Sequence, residues 1–349
     1  MKLYLLKIVI AFALIFIPQR LVCQEYNYYE ECDIFDGTLC YNITGDNTVE
    51  VTTRRASIPN SWFDLYLNYP ELYGSVVIPS TVKSNEGEIY SVTSIGNAAF
   101  IECHNMTTVT IPYSVISIGD KAFSYCSSLT SVKVENGNTK YDSRNNCNAI
   151  IETETNTLIA GCQNTTIPNS VTSIGSNAFT GCSGLTAVTI PNSVVTIGFR
   201  AFYESSLTSV DIPSSVTSID MQAFGTCSGL SEIRSKIVNV ADVWMGTSVF
   251  NFVPTSSCVL KVPIGTSESY QNADQWKDFA NIVEVEFDAE AGDMDDDGEV
   301  NGTDLNILIN IILGKDNAAN YGGRANVDGS GGIDGSDINM LINILLGKN

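Results

Sequence analysis

The sequence predicts two folds in series: a repeat solenoid of mixed α/β type, mostly β with an irregular or short-helical outer side, and then a small all-α unit. Three observations predict this. Ile167–Asp211 writes one pattern twice, IPNSVTSIGSNAFTGCSGLTAVT and then IPNSVVTIGFRAFYESSLTSVD, 23 and 22 residues long. The pattern recurs at Ile78, Ile111 and Ile212, so at least five copies fill 78–235. The last 62 residues, 288–349, hold a second and unrelated duplication spaced by 33 residues. A fixed period of 20–50 residues marks a solenoid, in which each unit buries its apolar face only against its neighbours.

Taken from the amino terminus, 1–23 opens with Lys2 and Lys7 and then runs Ile8–Ile17 without a polar residue. That core is too short to span a bilayer and reads as a secretory signal cleaved after Cys23, with lipidation of Cys23 as the alternative. An exported, oxidising destination follows. The net charge of −21, with only 18 Lys and Arg, excludes nucleic acid as a partner. The single histidine, His104, leaves little scope for histidine-based catalysis or metal ligation and reads as a loop residue. Residues 24–77 are assigned as an amino-terminal β-rich cap, because the open end of a solenoid exposes apolar core. Within it 33–51 reads as a hairpin turning at Asp36-Gly37, and the aromatic stretch 62–73 as cap core.

Each repeat then carries four columns. Phe100, Phe123, Phe179, Phe202 and Phe224 each follow an alanine and form the large inner side chains. Ile95, Ile118, Ile174 and Ile197 each precede a glycine, Gly96, Gly119, Gly175 and Gly198, expected to be left-handed turn residues. The segment L-x-x-V-x-I, as in Leu185, Val188 and Ile190, alternates as a strand does, and Pro79, Pro112, Pro168, Pro191 and Pro213 stop it. These columns predict a right-handed coil with one parallel strand per turn. Cys103, Cys126, Cys182 and Cys227 recur three residues after the phenylalanine and read as small buried thiols rather than metal ligands.

The IPxSV...IG..AF..C frame with its L-x-x-V-x-I strand resembles the BspA-like leucine-rich repeat family of bacterial surface proteins, over about 36–286. That resemblance implies adhesion to host proteins or other cells. It also implies that the outward strand residues line one surface: Thr108, Thr110, Ser131, Lys133, Ala187, Thr189, Ser209, Asp211, Glu232 and Arg234. This surface is hydroxyl-rich and weakly charged, and it has no paired carboxylates facing across a cleft as a glycosidase needs. The expected ligand is a host or bacterial surface protein or a glycan, and the chain is read as non-enzymatic. Two insertions interrupt the period, ten residues in the first repeat and a longer one at 135–166. The latter brackets a hairpin turning at Glu154-Thr155 between Cys147 and Cys162, whose register permits a disulfide; Cys32 and Cys40 permit another. Residues 236–287, with helix-like spacing in 267–279, read as a carboxy-terminal cap and linker.

The terminal unit is acidic, with 12 acids and 3 bases over 288–349. Asp293, Asp295, Asp297, the carbonyl of Glu299, Asn301 and Asp304 fall at the ligand positions of an EF-hand-type calcium loop, with Gly298 at its sharp turn. Asn326, Asp328, Ser330, the carbonyl of Gly332, Asp334 and Asp337 repeat the arrangement, giving two calcium sites. Carboxylates so crowded repel one another without a cation. Each loop runs into one apolar helix, and with Asp rather than Glu at its end the unit resembles a type I dockerin. The resemblance implies docking to a cohesin-bearing partner through Gly302-Thr303 and Gly335-Ser336, in either of two orientations. An alternative function comes from the company dockerins keep: a carbohydrate-recognising accessory subunit of a polysaccharide-degrading complex. No membrane span is expected.

Overall fold

The computed structural model describes residues 32–52, 72–287, 292–294, 300–321, 324–328, 330 and 332–346. The expected signal (1–23) and most of the aromatic stretch of the amino-terminal cap lie outside these residues.

The repeats wind into a solenoid whose turns carry two parallel strands each, not the single strand expected. One ladder is made by the L-x-x-V-x-I segments, with Val109 opposite Val132 and Val188 opposite Val210 and then Ile233. The other is made by two-residue strands just before the glycines, where Ile174 pairs with Ile197 and Ile197 with Ile219. The second ladder escapes a strand reading because two residues are too few to alternate visibly. Between the ladders, on the outer side, the backbone turns without regular helix. There Phe179 N–H donates to Ala201 C=O at 2.7 Å and Phe202 N–H to Ala223 C=O at 2.8 Å.

Phenylalanines stack along this spine. Phe179, Phe202 and Phe224 lie parallel with ring centroids 5.0 and 5.3 Å apart, all with at most 1% of their surface exposed. The cysteine column lies beside them. Cys126 and Cys227 donate to the carbonyls of Phe100 and Phe202 in the preceding coil, each at 3.1 Å. In the short fourth copy Ser205 takes the cysteine position and lies 3.4 Å from the Cys227 sulfur.

The glycines do a different job from the one expected. Gly96, Gly119, Gly175 and Gly198 do not have positive φ; that conformation falls on the residue two positions later, such as Ala98, Lys121, Asn177 and Arg200 at φ 52–59°. Glycine is needed because coils touch here: a Cβ on Gly119 would lie 2.4 Å from Asn97 N, and one on Gly198 2.9 Å from the Gly175 carbonyl carbon. Close approach between turns, not chain reversal, excludes a side chain.

Both ends extend the ladders further than the period did. At the amino end Thr48–Thr52 pairs parallel with Ile89–Ile95, and Gly74–Val77 with Met106–Ile111, while Cys40–Gly45 closes the edge as an antiparallel hairpin partner. The Asp36-Gly37 turn joins Ile34–Phe35 to Cys40 and Tyr41, with Asp36 accepting from Leu39 N–H at 2.8 Å and from the buried Tyr41 hydroxyl at 2.6 Å. The ten-residue insertion is a second hairpin, Thr81–Lys83 against Ile89–Ser91. At the carboxy end the coil continues past Ser235: Trp244–Met245 and Val259–Pro263 join the two ladders, and Phe250 stacks on Phe224 at 5.8 Å. The identity of this sixth turn is hidden in sequence because Val249 replaces its alanine and its strand lacks the usual leucine. Helix α1 (Ser267–Asn272) and the strand Asn281–Val285 close the end, over Tyr270, Trp276 and Phe279.

The insertion divides the solenoid. Ala149–Glu152 and Thr157–Gly161 form the expected hairpin, and the second of these pairs with Ser173–Ile174. Its alternation faces two ways. Cys147, Ala149, Ile151 and Leu158 pack into the core of the later coils, whereas Ile150, Ala160 and Cys162 pack into that of the earlier ones. Cys147 and Cys162 therefore belong to opposite sides and are free thiols, bonded to the carbonyls of Ala149 and Asn148. The expected pairing fails because Ala149, not Cys147, lies opposite Gly161, and the register shifts after Ile150.

Candidate functional site

The two loop–helix units are built alike. Helix α2 (Gly302–Ile312) and helix α3 (Gly335–Leu345) each begin with a reciprocal cap. Asn301 accepts from Thr303 N–H at 2.7 Å while Asp304 accepts from Asn301 N–H at 2.7 Å. Asp334 accepts from Ser336 N–H at 2.7 Å while Asp337 accepts from Asp334 N–H at 2.8 Å. This double bond explains why a short helix starts at each loop, since a helix leaves its first N–H groups unpaired. The free edges of the same carboxylates reach across the loops. Asp304 accepts from Met294 N–H at 2.6 Å and Asp337 from Asp328 N–H at 3.2 Å.

The core repeats the 33-residue spacing: Met294 and Val327, Leu308 and Leu341, and Asp304 and Asp337 are buried pairs. Gly292, φ 98°, is the counterpart of the buried Ala325 and is pressed against Leu341, whose Cδ1 would lie 2.8 Å from an added Cβ. Neither residue is visible as a contact in the sequence.

Of the expected calcium ligands, Asp295, Asp297 and Glu299 lie outside the described residues. Asp293 is 3% exposed and Asp304 and Asp337 are fully buried, so three carboxylates sit inside one small unit. Asn326 supplies the fit test for a cation. Its side-chain Oδ1 is buried and accepts no hydrogen bond. Such a group is costly to bury, and at the first ligand position of its loop a hard cation satisfies it. Among the described residues, no three His, Cys, Asp or Glu side chains form a metal cluster on their own. Asp328 is held down to about 2, first by the Ser336 hydroxyl and then by Ser330, so it stays charged in acid. Gly302, Thr303, Gly335 and Ser336 are exposed at the helix starts, with Ser330 exposed on its loop and Gly332 beside it.

The ladder face is two patches, not one surface. Thr108 stands opposite Ser131 and Thr110 opposite Lys133 on a three-stranded sheet. Ala187, Ser209 and Glu232 form a row on a separate five-stranded sheet, and Thr189, Asp211 and Arg234 form the next. The insertion breaks the ladder between them and encloses a cavity of about 450 Å³ beside Ser131, Lys133 and Arg144. The charged members of the second patch are paired across strands. Arg234 lies 3.5 Å from Asp211 and stacks over Phe287, and Glu232 binds Lys261 at 2.7 Å. Lys261 belongs to this face and was missed because the period fades before its strand. The row spacing of Glu232 and Val259 onward is the signal that finds it.

A solenoid with two ladders and a stacked spine, followed by paired capped loops, defines a repeat protein with a second, loop–helix unit. The family description "BspA type Leucine rich repeat region" matches residues 83–159 and 149–251 in six copies, and "Dockerin type I domain" matches 291–346. The chain thus carries a BspA-type leucine-rich repeat region and a carboxy-terminal dockerin type I domain. Both are non-catalytic interaction modules typical of extracellular or cell-surface bacterial proteins; dockerins bind calcium and dock to cohesin-type partners.

Among solved structures, the chain is similar to a leucine rich cell surface protein from Faecalibacterium prausnitzii, at 28% identity over 59% of this chain and 55% of that one, TM-score 0.34. A leucine-rich repeat protein from Bacteroides ovatus is 24% identical over 68% and 57%, TM-score 0.33, and one from Bacteroides capillosus 29% over 52% and 97%, TM-score 0.28. The chain spans little more than half the length of the first two. No curated protein matches it. Among the described residues no helix is long and apolar enough to cross a membrane.

Proposed function

We propose that this protein is a secreted or cell-surface recognition protein without catalytic activity. Its ladder face binds protein ligands, and its dockerin, loaded with two calcium ions, docks it to a cohesin-bearing partner. The observation that carries the docking half is the unpartnered, buried Oδ1 of Asn326, at the start of the loop that ends in the fully buried Asp337. Asp293, Asp295, Asp297, Asn301, Asp304 and the Glu299 carbonyl would hold one ion. Asn326, Asp328, Ser330, Asp334, Asp337 and the Gly332 carbonyl would hold the other. The ions supply the positive charge that lets these carboxylates share a small volume. Cohesin contact falls to Gly302-Thr303 or Gly335-Ser336, each exposed at a helix start.

Capture of the full chain on a panel of immobilised cohesins tests this. Binding is expected in calcium and lost in chelator. Thr303→Arg alone is expected to leave capture intact because the second pair substitutes for the first, whereas Thr303→Arg with Ser336→Arg is expected to abolish it. Capture indifferent to chelator refutes the docking reading. The same chain passed over immobilised matrix proteins tests the ladder face.

A further inference from the structure

The chain holds two Asn-Gly pairs, Asn136-Gly137 and Asn301-Gly302, and the fold treats them differently. An asparagine followed by glycine can close a five-membered imide, because glycine leaves its own nitrogen unshielded. Closure needs the glycine nitrogen and the asparagine Cβ on the same side of the Cα–C bond. In an L residue the two eclipse at a ψ of about −120°. Asn301 is an extended helix cap at ψ −167°, so it lies about 47° from closure, the difference of those two angles. Asn136 is on the far side. It is the second residue of a tight turn closed by Asn138 N–H to Glu135 C=O at 3.4 Å, with Gly137 at φ 91°. A type II turn of this kind sets its second residue at a ψ of about +120°, which carries the glycine nitrogen away from the side chain.

The hydrogen bonds at Asn301 point the same way. Its Oδ1 accepts from Thr303 N–H at 2.7 Å and from the Thr303 hydroxyl at 2.5 Å. Two donors on one carbonyl oxygen draw electrons from Cγ and hold the negative charge that forms on the oxygen during attack. The nucleophile is accessible. Gly302 opens helix α2, is exposed, and has no atom within 4 Å of where a Cβ would stand. The first N–H of a helix also has no acceptor inside it. Position 9 of a calcium loop often reaches the cation through water, so a bound ion does not require the Thr303 bonds to break.

We propose that Asn301 is a site of spontaneous deamidation. The Gly302 nitrogen gives its proton to water and bonds to Asn301 Cγ, the Cγ–Nδ2 bond breaks, and Nδ2 leaves as ammonia. Water then opens the imide at either carbonyl. Breaking the ring bond to Cγ yields aspartate; breaking the original backbone bond yields isoaspartate, with the main chain rerouted through the side chain. Neither step changes an oxidation state. The counterpart in the second loop, Asp334-Gly335, has the same backbone, ψ −164°, and the same bonds from Ser336, at 2.7 and 2.8 Å. Its ionised carboxylate resists attack, and it shows that aspartate fits this position. Isoaspartate lengthens the main chain by one carbon where Asn301 N–H must meet Asp304, so the reciprocal cap loses its spacing. One product keeps a capped loop and the other breaks it. The reaction needs neither calcium nor a cohesin, so its failure leaves the docking proposal standing.

Peptide mapping of the full chain, aged in neutral calcium buffer, tests it. Replacing NH2 by OH adds about 1 Da, and an isoaspartate-specific methyltransferase labels the second product. Asn301 is expected to convert several-fold faster than Asn136 in the folded chain, and the two rates to converge in urea. Gly302→Ala, whose methyl meets nothing, is expected to stop the conversion at Asn301. Thr303→Val keeps the N–H donor and loses the hydroxyl. It is expected to slow conversion about two- to tenfold in the folded chain, the scale of one hydrogen bond, and not at all in urea. The proposal is overturned if Asn301 keeps its amide, if the two asparagines convert equally in the folded chain, or if the preference for Asn301 persists in urea.

Discussion

Single residues in this protein are governed by how near one coil comes to the next. Phe179 lies between the Gly161 backbone, whose added Cβ would fall 2.1 Å from its ring, and the ring of Phe202. Phe179→Ala is expected to cost about 3–5 kcal/mol, the usual range for a buried Phe, read from urea denaturation. A loss under about 1 kcal/mol, that of a surface position, would place Phe179 outside the core. The buried cysteines make a prediction about pH. Burial pushes the thiols of Cys103 and Cys182 from 9.0 up to about 12 and that of Cys258 to about 11. The unfolded chain releases these protons near 9 and the folded one does not, so above that pH the unfolded state binds fewer protons and stability falls. Their stabilisation is complete below 9 and lost as pH climbs through 11 to 12. Urea midpoints are therefore expected to drop between pH 8 and pH 10.5. Replacing Cys103 and Cys182 by Ala is expected to shrink that drop, and an unchanged drop would assign it to other groups.

At the scale of elements, short pieces are held by neighbours rather than by propensity. Helices α2 and α3 are 11 residues each, below the length at which isolated helices persist in water. Their capping carboxylates, Asp304 and Asp337, are also candidate cation ligands, so cap and metal site are one device. Loop 1 offers Asp293, Asp295, Asp297 and Asp304, whereas loop 2 offers Asp328, Asp334 and Asp337. More ligand charge favours tighter binding in such loops. Isothermal titration of calcium into the full chain is expected to show two unequal sites, with Asp304→Ala removing the tighter. Loss of the weaker site instead would reverse the assignment of the loops. The insertion shows the same dependence on neighbours. Its hairpin lacks the Ala-Phe pair, yet Thr157–Leu158 joins the ladder because Ser173–Ile174 presents an edge to it.

At the scale of the whole molecule, the chain has separate cores. The repeat cores draw on the phenylalanine, isoleucine and valine columns, and the dockerin core on Met294, Leu308, Ile311, Ala325, Val327 and Leu341. Calorimetry of the full chain is expected to show a repeat transition indifferent to chelator and a dockerin transition that chelator lowers or abolishes, because metal binding and folding are linked there. A repeat transition that follows calcium would join what these cores keep apart. The two hydrophobic clusters on either side of the insertion hairpin meet across bonds such as Tyr125 N–H to Thr180 C=O at 2.9 Å and Asn177 to Asp120 at 2.9 Å. These bonds join coils more than fifty residues apart along the chain.

The periodic residues alone determined the solenoid, the phenylalanine and cysteine columns, the L-x-x-V-x-I ladder and the paired loops followed by helices. Repetition makes such features legible because every copy reports the same local environment. What only the tertiary structure decided depends on contacts between copies or on single exceptions to the pattern. The repeat glycines serve close approach rather than a left-handed turn, because the clash is with the preceding coil. The ladder face is split, because the inserted hairpin interrupts one sheet while it joins the other. Cys147 and Cys162 part company, because a one-residue change of register sends a strand side chain to the opposite face. Trp244 gains its setting only from helix α1 folding back beside it, a contact between segments that share no period.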